Sequence, residues 1–173
     1  MDVSESEDSL YLSVVSATDR VPIVLERVAQ FARRQGVSDS DGLLLVVREL
    51  LDNAIVHGNE SNPARMALVR VARRGAFFEV QVDDEGEGFD YESLILGLPE
   101  DPQTLTQRGL VLAHELSEEL SFERGGSRVR AIVDPGGKNF DSDRDPVGFS
   151  PEGYAGEKSI REEICISPMA KSV

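Results

Sequence analysis

Three short stretches of this sequence hold residue types that could do chemistry together. The first is Arg48-Glu49-Leu50-Leu51-Asp52-Asn53-Ala54-Ile55-Val56-His57-Gly58-Asn59. At about 100° per residue a helix brings Glu49, Asn53 and His57 onto one side, one turn apart each time, and leaves Val47, Leu50, Leu51 and Ala54 on an apolar arc. A carboxylate, an amide and an imidazole in line can hold a hard cation or orient a hydroxyl. Polar residues at this spacing also make ordinary solvated helix faces. The second stretch is Asp83-Asp84-Glu85-Gly86-Glu87-Gly88-Phe89-Asp90, an Asp-x-Gly-x-Gly pattern directly after an apolar alternation. Its glycines let the backbone pass close to a ligand, and an aspartate at a strand end can accept from a buried donor such as an adenine amino group. The same residues also make plain turns. The third is Gln107-Arg108-Gly109-Leu110 at a helix start. Free N–H groups there attract anions and Arg108 can fork onto phosphate, although a simple cap reads the same way.

The elements that must position these stretches follow from periodicity. Leu10 to Ser16 alternates like a short strand. Thr18 or Asp19 caps a helix with Pro22 in its first turn, Val21, Val24, Leu25, Val28, Phe31 and Ala32 as its stripe, and Gly36 at its end. Ser38 to Asp41 caps the next helix, which carries the first stretch to Gly58. Arg65–Arg73 and Ala76–Asp83 form a hairpin joined at Arg74-Gly75, with Phe78, Val80 and Val82 on one face. A long loop runs from Asp84 to Gln107, a helix from Arg108 to Leu116, and a second hairpin, Ser121–Arg124 with Arg128–Asp134, turns at Gly125-Gly126. This order predicts an α/β two-layer sandwich, a mixed and mostly antiparallel sheet with helices on one face. Residues 1–9 read as an acidic tail, 10–134 as the folded domain, and 135–173 as an extension with a docked segment at Glu157–Ile166.

With 173 residues, 40% hydrophobic and 29% charged, the chain fits one domain plus tails, and no apolar run suits a bilayer. The acidic start lacks the features of a signal peptide, so a cytoplasmic protein is expected. The single cysteine, Cys165, supports neither an internal disulfide nor a cysteine zinc site. A net charge of -14 argues against direct nucleic-acid binding and suits either solubility or a basic protein partner.

In this order and spacing the three stretches resemble the ATP-binding domain shared by gyrase, histidine kinases and MutL. Glu49 to Gly58 looks like its N box, Asp84 to Gly88 its first glycine box, and Gln107-Arg108-Gly109-Leu110 its second. The ending Asn53-Ala54-x-x-His57-Gly58, the Gly88-Phe89-Asp90 tripeptide and the short lid look most like the bacterial anti-sigma factor serine/threonine kinases of partner-switching systems. That resemblance implies a histidine kinase-like ATPase fold using ATP and Mg2+. Glu49 would be the general base, Asn53 the magnesium ligand, and Asp84 the adenine contact, with Gly86 and Gly88 against the nucleotide and Arg108, Gly109 and Leu110 where the lid meets the phosphates. It also implies a homodimer that phosphorylates an anti-sigma factor antagonist and sequesters a sigma factor. His57 is expected to be structural, and His114 a surface or packing residue.

The pattern departs from these kinases at two places. Gln107 stands where the second glycine box begins with glycine, and a side chain there strains the lid if positive φ is required. Ser127 stands where threonine is usual and keeps the hydroxyl. Two other functions fit the sequence: a nucleotide-binding switch module without phosphoryl transfer, and a switch kinase with a non-transcriptional output.

Overall fold

A computed structural model describes residues 1–91 and 105–135, and for 105–108 the backbone alone. The expected extension beyond Pro135, Cys165, and the loop from 92 to 104 lie outside the described residues.

The sheet has six strands in the order β1-β2-β3-β4-β6-β5, and every pairing is antiparallel, so the expected mixed sheet is antiparallel throughout. These strands are β1 (Asp2–Glu5), β2 (Ser9–Val15), β3 (Met66–Arg74), β4 (Phe77–Asp83), β5 (Glu119–Glu123) and β6 (Arg128–Val133). The antiparallel arrangement follows from the connections. Hairpins join three consecutive pairs, and between β2 and β3 two helical passes return the chain to the end it left. β1 falls in the acidic stretch expected to be a tail. Its register on β2, Asp2 opposite Ser13 and Glu5 opposite Leu10, supplies the backbone pairing that its exposed side chains do not advertise. The Arg34 guanidinium donates to Glu5 Oε1 at 2.5 Å and Gln35 Nε2 to the Glu7 carbonyl at 2.6 Å, clipping this hairpin to the helix layer.

Helices α1 (Val21–Arg34), α2 (Asp41–Asn53) and α3 (Leu105–Leu116) supply the second layer. The apolar stripe of α1 is buried as Val21, Val24, Val28, Phe31 and Ala32, and that of α2 as Leu43, Val46, Val47, Leu50 and Leu51. They meet the alternating residues of one sheet face, Leu10, Leu12 and Val14, then Val69 and Val71, then Phe78, Val80 and Val82, with Val129 and Ala131 beyond. Phe31 and Phe78 pack edge to face, ring centres 6.2 Å apart. A 3-10 turn, Thr18–Arg20, precedes α1 in place of the expected side-chain cap, and Gly36 ends the helix region at φ +79. The other sheet face carries polar and charged residues. No helix among the described residues is long and apolar enough to cross a membrane.

Candidate functional site

The first stretch folds in two parts. Glu49 and Asn53 lie on the last turns of α2, half-buried and one turn apart as expected. The chain then widens into a π turn, Ala54–Gly58, closed by the Asn59 N–H donating to the Ala54 carbonyl at 2.8 Å. Its i to i−5 bonding departs from the 100° progression, and His57 in it is exposed. The same widening delivers Gly58 to the second stretch. A Cβ on Gly58 would fall inside the Asp84 carboxylate, and one on Gly86 would strike the Gly58 carbonyl oxygen. Two hydrogens thus stand where side chains would otherwise push the stretches apart.

Asp84 follows β4, and its own N–H donates to the Ser127 carbonyl at 3.0 Å. Its Oδ1 accepts from the Gly86 N–H at 2.8 Å in a tight turn. Burial raises its pKa above the ordinary aspartate value, with the Asp83 charge adding to this and the Gly86 hydrogen bond and distant Arg65 only partly opposing it. Gly88 also has a packing role. At φ +79 it packs on the turn after β5, where a Cβ would meet the Gly125 carbonyl, and the Phe89 N–H donates to that carbonyl at 2.9 Å. The Phe89 and Tyr91 rings then cluster on Phe122, with centres 5.7 and 5.5 Å away. This anchors the outgoing end of the second stretch. The Ser127 hydroxyl is spent locally, donating to the Arg124 carbonyl at 3.1 Å.

The third stretch starts earlier than its sequence suggests. α3 begins at Leu105, so the free N–H groups belong to residues 105–108, while Arg108, Gly109 and Leu110 sit further into the helix. Leu110 is 3% exposed, and its side chain ties α3 to the core. Gly109 lets α3 close over α2, for a Cβ there would stand 2.5 Å from Glu49 Oε2. Glu49 is consequently shielded from water, which raises its pKa above the ordinary glutamate value; the Asp52 charge adds and that of Arg48 subtracts. Arg48 faces Asp52 instead, at 3.7 Å. Among the described residues neither Glu49 nor Asp84 makes an ion pair.

Glu49 and Asn53 on α2, and Gly58 packed against Asp84 at the end of the π turn, therefore bring the first and second stretches together, with nine positions between Glu49 and Gly58. A proton acceptor stands at the α3 end and a hydrogen-bond acceptor at the other. Residues 14–133 match the family model of the histidine kinase-like ATPase domain. The chain belongs to that family. No curated protein matches it. The family is one of ATP-using domains, and the residues fit that ligand. Glycines 58, 86 and 109 keep side chains out of the space beside Asp84 and Glu49. Asn53 offers a single neutral oxygen, which suits a magnesium ion that keeps waters and phosphate oxygens as its other ligands. No cluster of three histidine, cysteine or carboxylate groups suited to a metal occurs among the described residues.

Two residues important to this geometry are not conspicuous in the sequence. Asn59 reads as a helix stop and Glu85 as a filler between motif positions. The structure buries Asn59 completely and ties Glu85 to it. The signal that could have found Asn59 is only that an asparagine follows a glycine where one residue suffices to end a helix.

Proposed function

We propose that this histidine kinase-like ATPase domain is a partner-switching serine/threonine kinase. It uses MgATP to phosphorylate an anti-sigma factor antagonist and holds a sigma factor when the antagonist is phosphorylated. The observation that carries the reading is the placement of Glu49: a carboxylate one turn from Asn53, covered by Gly109 and without a cation partner among the described residues. A carboxylate whose pKa burial raises is a stronger base than one in water. Glu49 would take the proton of the substrate hydroxyl whose oxygen receives the phosphoryl group in place of ADP. Bound MgATP supplies the phosphoryl group and the metal charge that offsets the developing negative charge. Asn53 would hold the metal, Asp84 would accept from the adenine amino group, and the N-terminal turn of α3, which includes Arg108, would bind the phosphates. The homodimer would form through the first strand or the open sheet.

Gln107 favours a second reading, a switch module that binds nucleotide and a partner without transferring phosphate, because these kinases carry glycine at that position. Titration calorimetry with MgATP on the full chain and on Asp84→Asn separates the possibilities. Wild-type binding that weakens by about 1–3 kcal/mol in the variant supports the pocket. Undiminished binding by Asp84→Asn moves the adenine elsewhere, and a wild type that ignores MgATP overturns the kinase. Labelled phosphate appearing on an antagonist protein then decides between kinase and module.

A further inference from the structure

The Asn59 side chain is fully buried and every polar group on it is engaged. Its Nδ2 donates to Ser16 Oγ at 2.6 Å and to the Met66 carbonyl at 2.9 Å. Its Oδ1 accepts from the Glu85 N–H at 2.8 Å. Glu85 Oε2 in turn accepts from the Met66 N–H at 2.7 Å. Asn59, Met66 and Glu85 thus close a ring, each bonded to the next, and Ser16 at the end of β2 joins it as a fourth point. The ring takes one residue from the end of the α2 π turn, one from the start of β3 and one from the turn after β4. Glu85 is the residue between Asp84 and Gly86, whose close approach to Gly58 sets the floor of the candidate site.

We propose that Asn59 is a positioning residue for nucleotide recognition: its buried carboxamide locks the Asp84–Gly86 turn onto the end of α2 and so aims the Asp84 carboxylate at the base. This rests on the nucleotide reading above and deepens it. Only a carboxamide meets the demands of the position. Aspartate has no donor for Ser16 and Met66 and would place a charge in a dry site, leucine has neither donor nor acceptor, and glutamine carries one more methylene than the closed ring admits. Beyond the ring, the turn's hydrogen bonds run to the β5–β6 side, from the Asp84 N–H to the Ser127 carbonyl and from the Phe89 N–H to the Gly125 carbonyl, and the ring is what bonds it to the end of the α2 π turn. Gly86 contributes no side chain, and Glu85 is exposed apart from its two ring bonds. Without the ring, Asp84 keeps its bonds to the Gly86 N–H and the Ser127 carbonyl, but the turn loses its hydrogen bond to the end of the α2 π turn and shifts relative to Asn53.

The test is equilibrium binding of MgATP and MgITP to the full chain. The two differ where the 6-amino group of adenine becomes a 6-oxo group, so their affinity ratio reads the aim of Asp84. The wild type should prefer ATP. Asn59→Ala should lose about tenfold and Glu85→Ala about threefold of ATP affinity, with ITP affinity nearly unchanged, so that the ratio moves toward that of Asp84→Asn. Glu85→Gln should restore the preference lost in Glu85→Ala, because its amide oxygen still accepts from the Met66 N–H. Equal losses for both nucleotides would mark Asn59 as a general structural support and overturn the proposal, as would an unchanged ratio, or a Glu85→Gln no better than Glu85→Ala. Should Asn59→Ala fail to fold by circular dichroism, the Glu85 pair decides on the same criteria. A wild type that binds ATP and ITP alike also overturns the proposal. One that binds neither overturns the nucleotide reading itself, which keeps the two failures distinct.

Discussion

Asp83 and Asp84 are neighbours in the chain, yet they belong to two regions that treat a carboxylate in opposite ways. Alternation at the end of β4 sends one to each side of the sheet. On the open face, Asp83 accepts from the Arg128 Nε at 2.5 Å and from Gln81 at 2.8 Å, with Arg124 3.5 Å away. Glu79, two pleats along and 5% exposed, is gripped by Arg70 and by Arg130 at 2.6 Å, with Arg74 at 3.6 Å. Burial alone would push its pKa up, but the hydrogen bonds and charges of Arg130 and Arg70 prevail and hold it below the ordinary value. On the helix side, Glu49 and Asp84 have no such partners among the described residues, and burial raises both pKa values above the ordinary ones. Among the described residues, arginines saturate the carboxylates of one face and pair with neither Glu49 nor Asp84 on the other, which marks the second as a candidate place where charge is kept for a ligand.

Glu49→Gln breaks that contrast most sharply. The amide is isosteric but cannot take a proton, so phosphoryl transfer should fall by about 10²–10⁴-fold while MgATP binding stays within a few-fold. Stability should hold or rise, because the variant removes a charge that burial opposes. Single-turnover transfer and urea unfolding measured on one preparation check both halves. Transfer that persists would remove Glu49 from the chemistry. Glu79→Ala has the reverse profile. It leaves Arg70 and Arg130 partly buried without their acceptor, and should lower unfolding free energy by about 2 kcal/mol, the usual cost of a broken buried pair reduced for the partial exposure of the arginines. Nucleotide affinity should not change. A stability loss below the error of the urea midpoint would show that the arginine ladder is surface decoration.

The sequence makes one side of this contrast readable and hides the other. Alternation in Leu10–Ser16 and Phe78–Val82 and the stripes of the two long helices give the two layers directly, since each depends on residues close in the chain. Glu49 and Asn53 are readable for the same reason. The π turn is not, because nothing in the spacing of Ala54 to Gly58 distinguishes i−4 from i−5 bonding. The Asn59 ring is hidden by distance, its partners lying 7, 26 and 43 positions away. Glu79 reads as a polar face residue until register places Ala72 and Ile132 beside it and brings arginines from both flanking strands within reach. β1 is missed because its four side chains are all exposed and carry no apolar pattern; its evidence is backbone pairing alone.

The smallest effect separates the two regions by acid titration of stability. A carboxylate whose folded pKa is lowered, as for Glu79, stabilises the fold fully above its unfolded value of about 4.3 and loses that contribution as pH falls through the lower folded value. One whose folded pKa is raised, as for Glu49, costs nothing below about 4.3 and weakens the fold as pH climbs from there through its folded value. The two groups therefore act on opposite sides of one pH. Comparing urea midpoints of the wild type with Glu79→Gln and Glu49→Gln between about pH 3 and pH 7 should give difference curves that bend in separate windows. The Glu79→Gln deficit should shrink only below about 4.3. The Glu49→Gln advantage should grow only above it, to less than about 1 kcal/mol, because water still reaches part of that carboxylate. If both curves bend in the same window, the two faces do not differ in how they hold charge, and the inference that the helix side reserves its carboxylates for a ligand loses its electrostatic support.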